Sequence, residues 1–231
     1  MSGPGRPAGA FRLSVLIPVY NEVTSIREVL ERVSRVPVEK EIIVVDDCST
    51  DGTDRVLAGL DLPGLKVIRH ETNQGKGAAL RTALKAATGD AIIFQDADLE
   101  YYPEDYPALL EPILSGRAKV VYGYRDLSSQ RPLMRWGNRF LTWLTNVLYG
   151  SRLRDMETCY KVLSREVYCR LTIESNRFEI EPEITAKVLR WGYKIFEVPI
   201  RYSPRGEKKL SPWRDGLPAL LTLIKYRFRP V

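Results

Sequence analysis

What most constrains the fold of this chain is an alternation in its first hundred residues, where short apolar runs take turns with segments of helical spacing. Residues 13–17 (Leu-Ser-Val-Leu-Ile) form a β-rich run closed by Pro18. Val23, Ile26, Val29, Leu30 and Val33 then recur at helical intervals through residue 36. Residues 41–45 repeat the strand pattern and end in Asp46-Asp47-Cys48-Ser49-Thr50-Asp51-Gly52-Thr53. Ser49, Thr50, Asp51 and Thr53 favour turns and caps, so the next helix should begin near residue 53. Residues 65–69 are a third strand, and Asn73-Gln74-Gly75-Lys76-Gly77 introduces an alanine-rich helix over 76–87. The run Ile92-Ile93-Phe94 is a fourth strand. Strands joined through helices require crossovers, which places the chain in the α/β class as a mostly parallel mixed sheet within a three-layer α/β/α sandwich.

The fourth strand runs into Gln95-Asp96-Ala97-Asp98-Leu99-Glu100, with carboxylates at alternate positions. In extended chain alternate side chains point the same way, so Asp96, Asp98 and Glu100 could converge just past the sheet edge. Oxygen-only ligands suit Mg2+ or Mn2+; a solvated acidic turn leading to Pro103 is the competing reading. In parallel sheets ligands sit beyond the carboxyl ends of the strands, so Asp46-Asp47 and Asp96-x-Asp98 are placed to share one crevice. There is no Gly-x-Gly-x-x-Gly after the first strand and no Gly-x4-Gly-Lys-Ser/Thr, which argues against dinucleotide and P-loop sites.

In the second half, residues 103–115 read as a helix, 119–124 as a fifth strand and 132–149 as an amphipathic helix. On that helix Trp136, Phe140, Trp143, Leu144 and Val147 share a face, which either joins the core or lies on a membrane. Residues 156–163 read as a strand, 182–191 as a helix and 193–200 as a strand. Glu179, Glu181 and Glu183 alternate as on an extended segment. Residues 203–209 form a basic loop without apolar periodicity, and a last helix from Ser211-Pro212 carries Leu217, Leu220, Leu221, Ile224 and Phe228 on one stripe and a basic end.

With 231 residues, 44% of them hydrophobic, the chain is most simply one domain over residues 11–231, ending in a basic amphipathic helix, behind a flexible tail at 1–10. That tail lacks the apolar core of a secretion signal, and no run approaches the ~18–20 apolar residues that span a bilayer. Cys48, Cys159 and Cys169 have no metal-ligand spacing and read as reduced thiols in a cytoplasmic protein. A net charge of +6 suits an anionic partner. Carboxylates at the binding edge would repel nucleic acid, so no nucleic-acid partner is expected.

Taken together, Pro18-Val19-Tyr20-Asn21-Glu22, the segment 44–53, Asn73-Gln74-Gly75-Lys76-Gly77 and Asp96-Ala97-Asp98 resemble the family 2 glycosyltransferases of GT-A fold. Residues 98–101, Asp155-Met156-Glu157-Thr158-Cys159-Tyr160-Lys161 and Gly206-Glu207-Lys208-Lys209 resemble the polyprenyl (dolichyl) phosphate mannose and glucose synthases within it. The resemblance implies a nucleotide-sugar donor near Pro18, Tyr20, Glu22, Asp46, Asp47, Lys76, Asp96 and Ala97, with Mg2+ or Mn2+ on Asp96 and Asp98 and Glu100 as a third ligand. It also implies a polyprenyl phosphate acceptor, whose anionic oxygen attacks without a strong base, and peripheral attachment to the cytoplasmic membrane face. Asp98 then carries the catalytic metal, and Arg125, Arg131, Arg135, Arg205, Lys208 and Lys209 are candidates to neutralise the acceptor phosphate, Arg125 and Arg205 foremost. Were the acceptor a hydroxyl, Asp155 or Glu181 would be the general base.

Overall fold

Each of the first four apolar runs becomes a strand: β1 (Leu13–Val19), β2 (Lys40–Asp46), β3 (Leu65–Arg69) and β4 (Ala91–Phe94). Between them lie α1 (Ile26–Arg35), α2 (Thr53–Ala58) and α3 (Lys76–Ala86). In this computed structural model residues 11–128, 130–204 and 212–229 are described, the side chains of the last segment from residue 216 onward. The expected tail at 1–10 and the basic residues Arg205, Lys208 and Lys209 lie outside the described residues.

After a 3-10 turn at Pro103–Asp105 come α4 (Tyr106–Leu114), β5 (Val120–Arg125), α5 (Pro132–Tyr149), β6 (Lys161–Ser164), α6 (Arg165–Tyr168), α7 (Ile180–Arg190), β7 (Ile195–Ile200) and α8 (Pro212–Phe228). The sheet runs in the order β3-β2-β1-β4-β6-β5-β7, with β6 antiparallel to both neighbours and the remaining pairs parallel. Right-handed crossovers put α1 and α2 on one face of the sheet and, because the chain doubles back past β1, α3 on the other. That reversal opens a crevice between the carboxyl ends of β1 and β4.

Pro18 helps to open it. It lies inside β1 and not at its end, and register parity turns its amide position toward β4. The last β1–β4 bond runs from the Gln95 amide to the Leu16 carbonyl, and Pro18 has no donor to continue the ladder. The chain after Phe94 therefore peels away from β1. Buried Gln95 anchors it, accepting hydrogen bonds from the hydroxyls of Tyr106 (2.6 Å) and Tyr160 (2.7 Å) and donating one to the Asp96 carbonyl (2.8 Å).

Three expectations need correction. Residues 156–160 are irregular and only Lys161–Ser164 pair as a strand, because the Met156 amide donates to Thr142 Oγ1 and the Cys159 amide to the Tyr101 hydroxyl. Those donors are not available to a ladder. Helix α7 starts at Ile180, so Glu181 and Glu183 sit in its first turn and diverge instead of sharing an extended face. Pro182 is tolerated there because first-turn amides have no intrahelical acceptor. Finally, the stripe on α5 is not core: Trp136 is 71% and Trp143 58% exposed, with Phe140 and Val147 also exposed, while Leu141, Thr142 and Thr145 are buried. Helix α8 likewise buries Ala219 and Leu223 and leaves Leu217, Leu221, Ile224 and Phe228 outside.

The start of α3 is closed by another segment. The amides of Gly77 and Ala78 donate to the Asn176 carbonyl, and a Cβ on Gly77 would sit inside the contact radius of the Ser175 carbonyl oxygen. Although alanine is the better helix former by about 1 kcal/mol, Gly77→Ala should lower stability by about 2 kcal/mol, because backbone and not a flexible side chain must move. Equilibrium urea denaturation reads this directly, with the slope unchanged.

Candidate functional site

Between the ends of β1, β2 and β4 lies a cavity of about 510 Å3, whose walls include Pro18, Tyr20, Glu22, Asp47, Lys76, Asp96, Ala97, Asp98 and Glu100. Its far side is made by α5 (Leu133, Met134, Gly137, Asn138, Leu141) and α8 (Gly216, Ala219). Arg125, Glu157, Cys159, Arg177, Phe178 and Glu181 complete it.

The two loops that follow β1 and β2 hold each other. Amides of Asn21, Glu22 and Val23 donate to Ser49 Oγ, Thr53 Oγ1 and Asp51 Oδ2, each at 3.0 Å. Polar residues that in sequence only signalled a turn thus fix the neighbouring turn as well. Glu22 accepts from Ser25 Oγ at 2.8 Å, and the same hydroxyl reaches the Ala97 carbonyl at 2.7 Å, tying the first loop to the acidic one. Asp47 accepts from the amides of Gln74 (3.0 Å) and Gly75 (2.7 Å) and faces His70 Nδ1 at 2.7 Å, while His70 Nε2 meets Thr82 Oγ1 at 2.9 Å. Its carboxylate therefore shapes the loop before α3 while still lining the cavity. Asp46 lies beneath, its Oδ1 on the Ser49 amide (2.9 Å) and its Oδ2 3.4 Å from Arg69, and it does not reach the cavity wall.

At the end of β4, Leu99 takes a left-handed φ of 63°, strained for a branched side chain, and turns the chain between Asp98 and Glu100. Asp96, Asp98 and Glu100 all line the cavity, and Glu100 also accepts the Tyr202 hydroxyl on Oε2 at 2.7 Å. Among the described residues no group of three or more His, Cys, Asp and Glu is arranged around one point. Glu100 thus lines the cavity beside Asp96 and Asp98 without closing a three-carboxylate cluster among the described residues. Two carboxylates with open space in front still fit a hard divalent cation, which keeps positions for water and phosphate oxygens.

Lys76 completes the electrostatics. Its ammonium lies 2.8 Å from Asp96 and 3.2 Å from Glu181, whose other oxygen is bound by fully buried Lys161. Burial pushes the Asp96 carboxyl upward, but Lys76, with Cys159 and Arg125, more than offsets this and holds it below the ordinary range. Burial alone would lower Lys76; Asp96 and Glu181 raise it well above its usual value. Both oxygens of Glu181 are thereby taken, which speaks against a general base there.

Arg125 and Asp155, nominated separately in the sequence, form one buried bidentate pair at 2.6 and 2.9 Å, and Arg125 Nη1 donates to the Tyr101 hydroxyl at 3.1 Å. Asp155 also accepts the Arg125 amide, so it is held as a counter-ion and is not poised as a base. Three of the five Arg125 N–H donors are thereby used, leaving one each on Nη1 and Nη2. Arg131 caps α5, Arg135 donates to the Ser128 carbonyl at 3.4 Å, and neither lines the cavity. Sequence reasoning missed Arg177, an exposed cation on the wall, and Glu157. Burial and the nearby Glu181 push the Glu157 carboxyl up to about 7. Glu157 stood within a quoted motif, but its neighbours come from segments far apart in the chain.

Removing one member of a buried ion pair leaves the other charge uncompensated. Asp155→Asn should therefore cost about 3 kcal/mol of stability, and the double change with Arg125→Met should recover part of it. Thermal and denaturant unfolding of the single and double variants measure both.

Comparison with known proteins identifies the family and agrees with the fold. The family model described as Glycosyl transferase family 2 matches residues 14–174. Glycosyltransferase AglD of Haloferax volcanii is 30% identical over 92% of this chain, which spans only 37% of AglD's length. Undecaprenyl-phosphate mannosyltransferase of Micrococcus luteus is 29% identical over 87% of this chain and 88% of its own. Among solved structures, glucosyl-3-phosphoglycerate synthase from Mycobacterium tuberculosis, in complex with Mn2+, UDP and phosphoglyceric acid, superposes with a TM-score of 0.78. It is 24% identical, over 97% of this chain and 81% of that one, and shares the fold. With a GT-A-type sheet, an acidic crevice at its switch point and a family match over most of its length, this chain belongs to glycosyltransferase family 2.

Proposed function

We propose that this protein transfers a hexose from a nucleotide sugar, GDP-mannose or UDP-glucose, to a polyprenyl phosphate, with inversion at the anomeric carbon. One observation carries the reading: the cavity with strand-end carboxylates on one wall has α5 and α8 as its other, and the outer faces of those helices are exposed and apolar. A polar donor and a lipid acceptor thus meet in one crevice. The named relative from Micrococcus luteus acts, by its name, on undecaprenyl phosphate, which supports the same class of acceptor.

Tyr20, Glu22 and Asp47 line the end suited to base and ribose, since carboxylates accept their N–H and O–H groups. Asp96 and Asp98 would hold Mg2+ or Mn2+, which supplies charge neutralisation for the departing diphosphate. Lys76 stands beside the same carboxylate and adds positive charge to the leaving group's surroundings. The acceptor phosphate is already anionic, its second pKa being about 6. It needs alignment and neutralisation, and Arg177 with the cavity side of Arg125 can provide both. Attack opposite the diphosphate converts an α-linked donor into a β-linked lipid phosphosugar. The hydroxyl-acceptor alternative loses support because its nominated bases, Asp155 and Glu181, are both ion-paired.

Among the described residues no helix is long and apolar enough to cross a membrane. The reading is peripheral attachment at the cytoplasmic face: stacked Trp136 and Phe140, Trp143 and Phe228 enter the interface, and the net charge of +6 favours anionic lipid.

With radiolabelled donor, Mg2+ and polyprenyl phosphate, a butanol-soluble product should form, and Asp98→Ala should reduce it at least ~100-fold, in line with loss of an electrostatic stabiliser of the transition state. No product from either donor would reject the reading. In flotation, the wild type should rise with liposomes containing anionic lipid, and the triple change Trp136→Ser, Phe140→Ser, Trp143→Ser should stay at the bottom. Equal flotation of both proteins would remove these side chains from the membrane contact.

A further inference from the structure

We infer that Glu157 reads the transferred sugar, its Oε1 accepting a hydrogen bond from a hexose hydroxyl in the crevice. This deepens the transferase reading and rests on it.

The loop 155–161 carries two acids and a lysine, and the structure treats them differently. Asp155 is held by Arg125, and Lys161 by Glu181 and the Thr158 carbonyl. Glu157 lines the cavity, yet among the described residues its buried Oε1 has no hydrogen-bond partner. A buried acceptor without a donor costs on the order of 1–3 kcal/mol, and such atoms call for an explanation. Its surroundings disfavour its charge on balance: burial first, then Glu181 and Asp155, push the carboxyl up by more than Lys161 and Arg125 pull it down. The carboxyl is thus retained at a position where the fold alone would prefer an apolar side chain, which points to a ligand.

The chemistry of that ligand follows from what is missing. Oε1 needs a donor. Phosphate oxygens at neutral pH are acceptors and do not supply that donor. The base and ribose face the other end of the crevice, at Tyr20, Glu22 and Asp47. The donor groups left on the substrate pair are the hydroxyls of the sugar. Glu157 lines the same cavity as Asp96, Lys76 and Arg125 and lies near enough to Arg125 and Glu181 to feel their charges, and the hexose has to occupy that cavity between the diphosphate and the acceptor phosphate.

The test compares the sugar's share of binding in the full chain, wild type, Glu157→Gln and Glu157→Leu. Calorimetry gives Kd for UDP and UDP-glucose, and for GDP and GDP-mannose, each with Mn2+. Both variants should bind the diphosphate within about twofold of wild type. The sugar's contribution, the ratio of the two Kd values, should fall about tenfold in Glu157→Leu and less than about threefold in Glu157→Gln, whose carbonyl still accepts. One deoxy-sugar donor should weaken wild type by the same factor and add no loss in Glu157→Leu. The melting temperature of Glu157→Leu should equal or exceed that of wild type, since an unsatisfied carboxyl has been removed.

An unchanged ratio in Glu157→Leu overturns the inference, and a lowered melting temperature alongside it would make the carboxyl structural. Loss of turnover in Glu157→Gln with the ratio intact would make Glu157 a proton-transfer group and overturn it too. Failure of wild type to bind any diphosphate removes the transferase reading and this inference with it; diphosphate binding with an unaffected sugar ratio removes the inference alone.

Discussion

Lys76 stands between Asp96 and Glu181, and Glu181 in turn binds Lys161, so two acids and two lysines form a neutral chain through the middle of the molecule. Desolvating any one of these charges alone would cost several kcal/mol; paired, they are held, and each depends on the others. The chain has a geometric consequence as well. Asp96 belongs to the end of β4, Lys76 to the start of α3, Glu181 to the start of α7 and Lys161 to β6, so one network registers four separate elements around the crevice. It also keeps Asp96 ionised in a partly buried place, where a divalent cation and a diphosphate together would add little net charge.

The glycine-flanked lysine shows how one motif can serve packing and chemistry together. Gly75 and Gly77 do allow a close approach, but the group that approaches is the backbone of Ser175 and Asn176, which caps the α3 amides. The helix terminus is thereby already satisfied and is not a phosphate cradle. What remains for the substrate is the Lys76 side chain, aimed by a loop that Asp47 and His70 hold in shape.

The fold was legible where periodicity is local. The strands β1 to β5 and the helices between them follow from runs of period 2 and 3.6, and the acidic ends of β2 and β4 followed from the parallel order that those runs imply. Legibility failed where distant segments decide. The stretch 156–160 has strand-like composition, yet its amides are claimed by Thr142 and Tyr101. The stripes on α5 and α8 announce an apolar face without saying what covers it, and here the protein leaves them exposed. Arg125, Asp155 and Glu181 looked like separate functional groups, because an ion pair between residues 30 positions apart leaves no mark in the sequence. Glu157 was overlooked for the same reason.

In the crevice, ionic order lies on one side and apolar helices on the other, the division that the proposed charged donor and lipid acceptor require. The central claim is that Asp96 and Asp98 hold a cation and a sugar nucleotide at the switch point of the sheet. A crystal structure of this chain with Mn2+ and a nucleoside diphosphate tests it most directly. The account predicts anomalous density for manganese between the carboxylates of Asp96 and Asp98 and the diphosphate, with the base toward Tyr20 and Asp47. Nucleotide bound elsewhere, with Asp98 turned to solvent and the Asp96–Lys76 pair untouched, would contradict it.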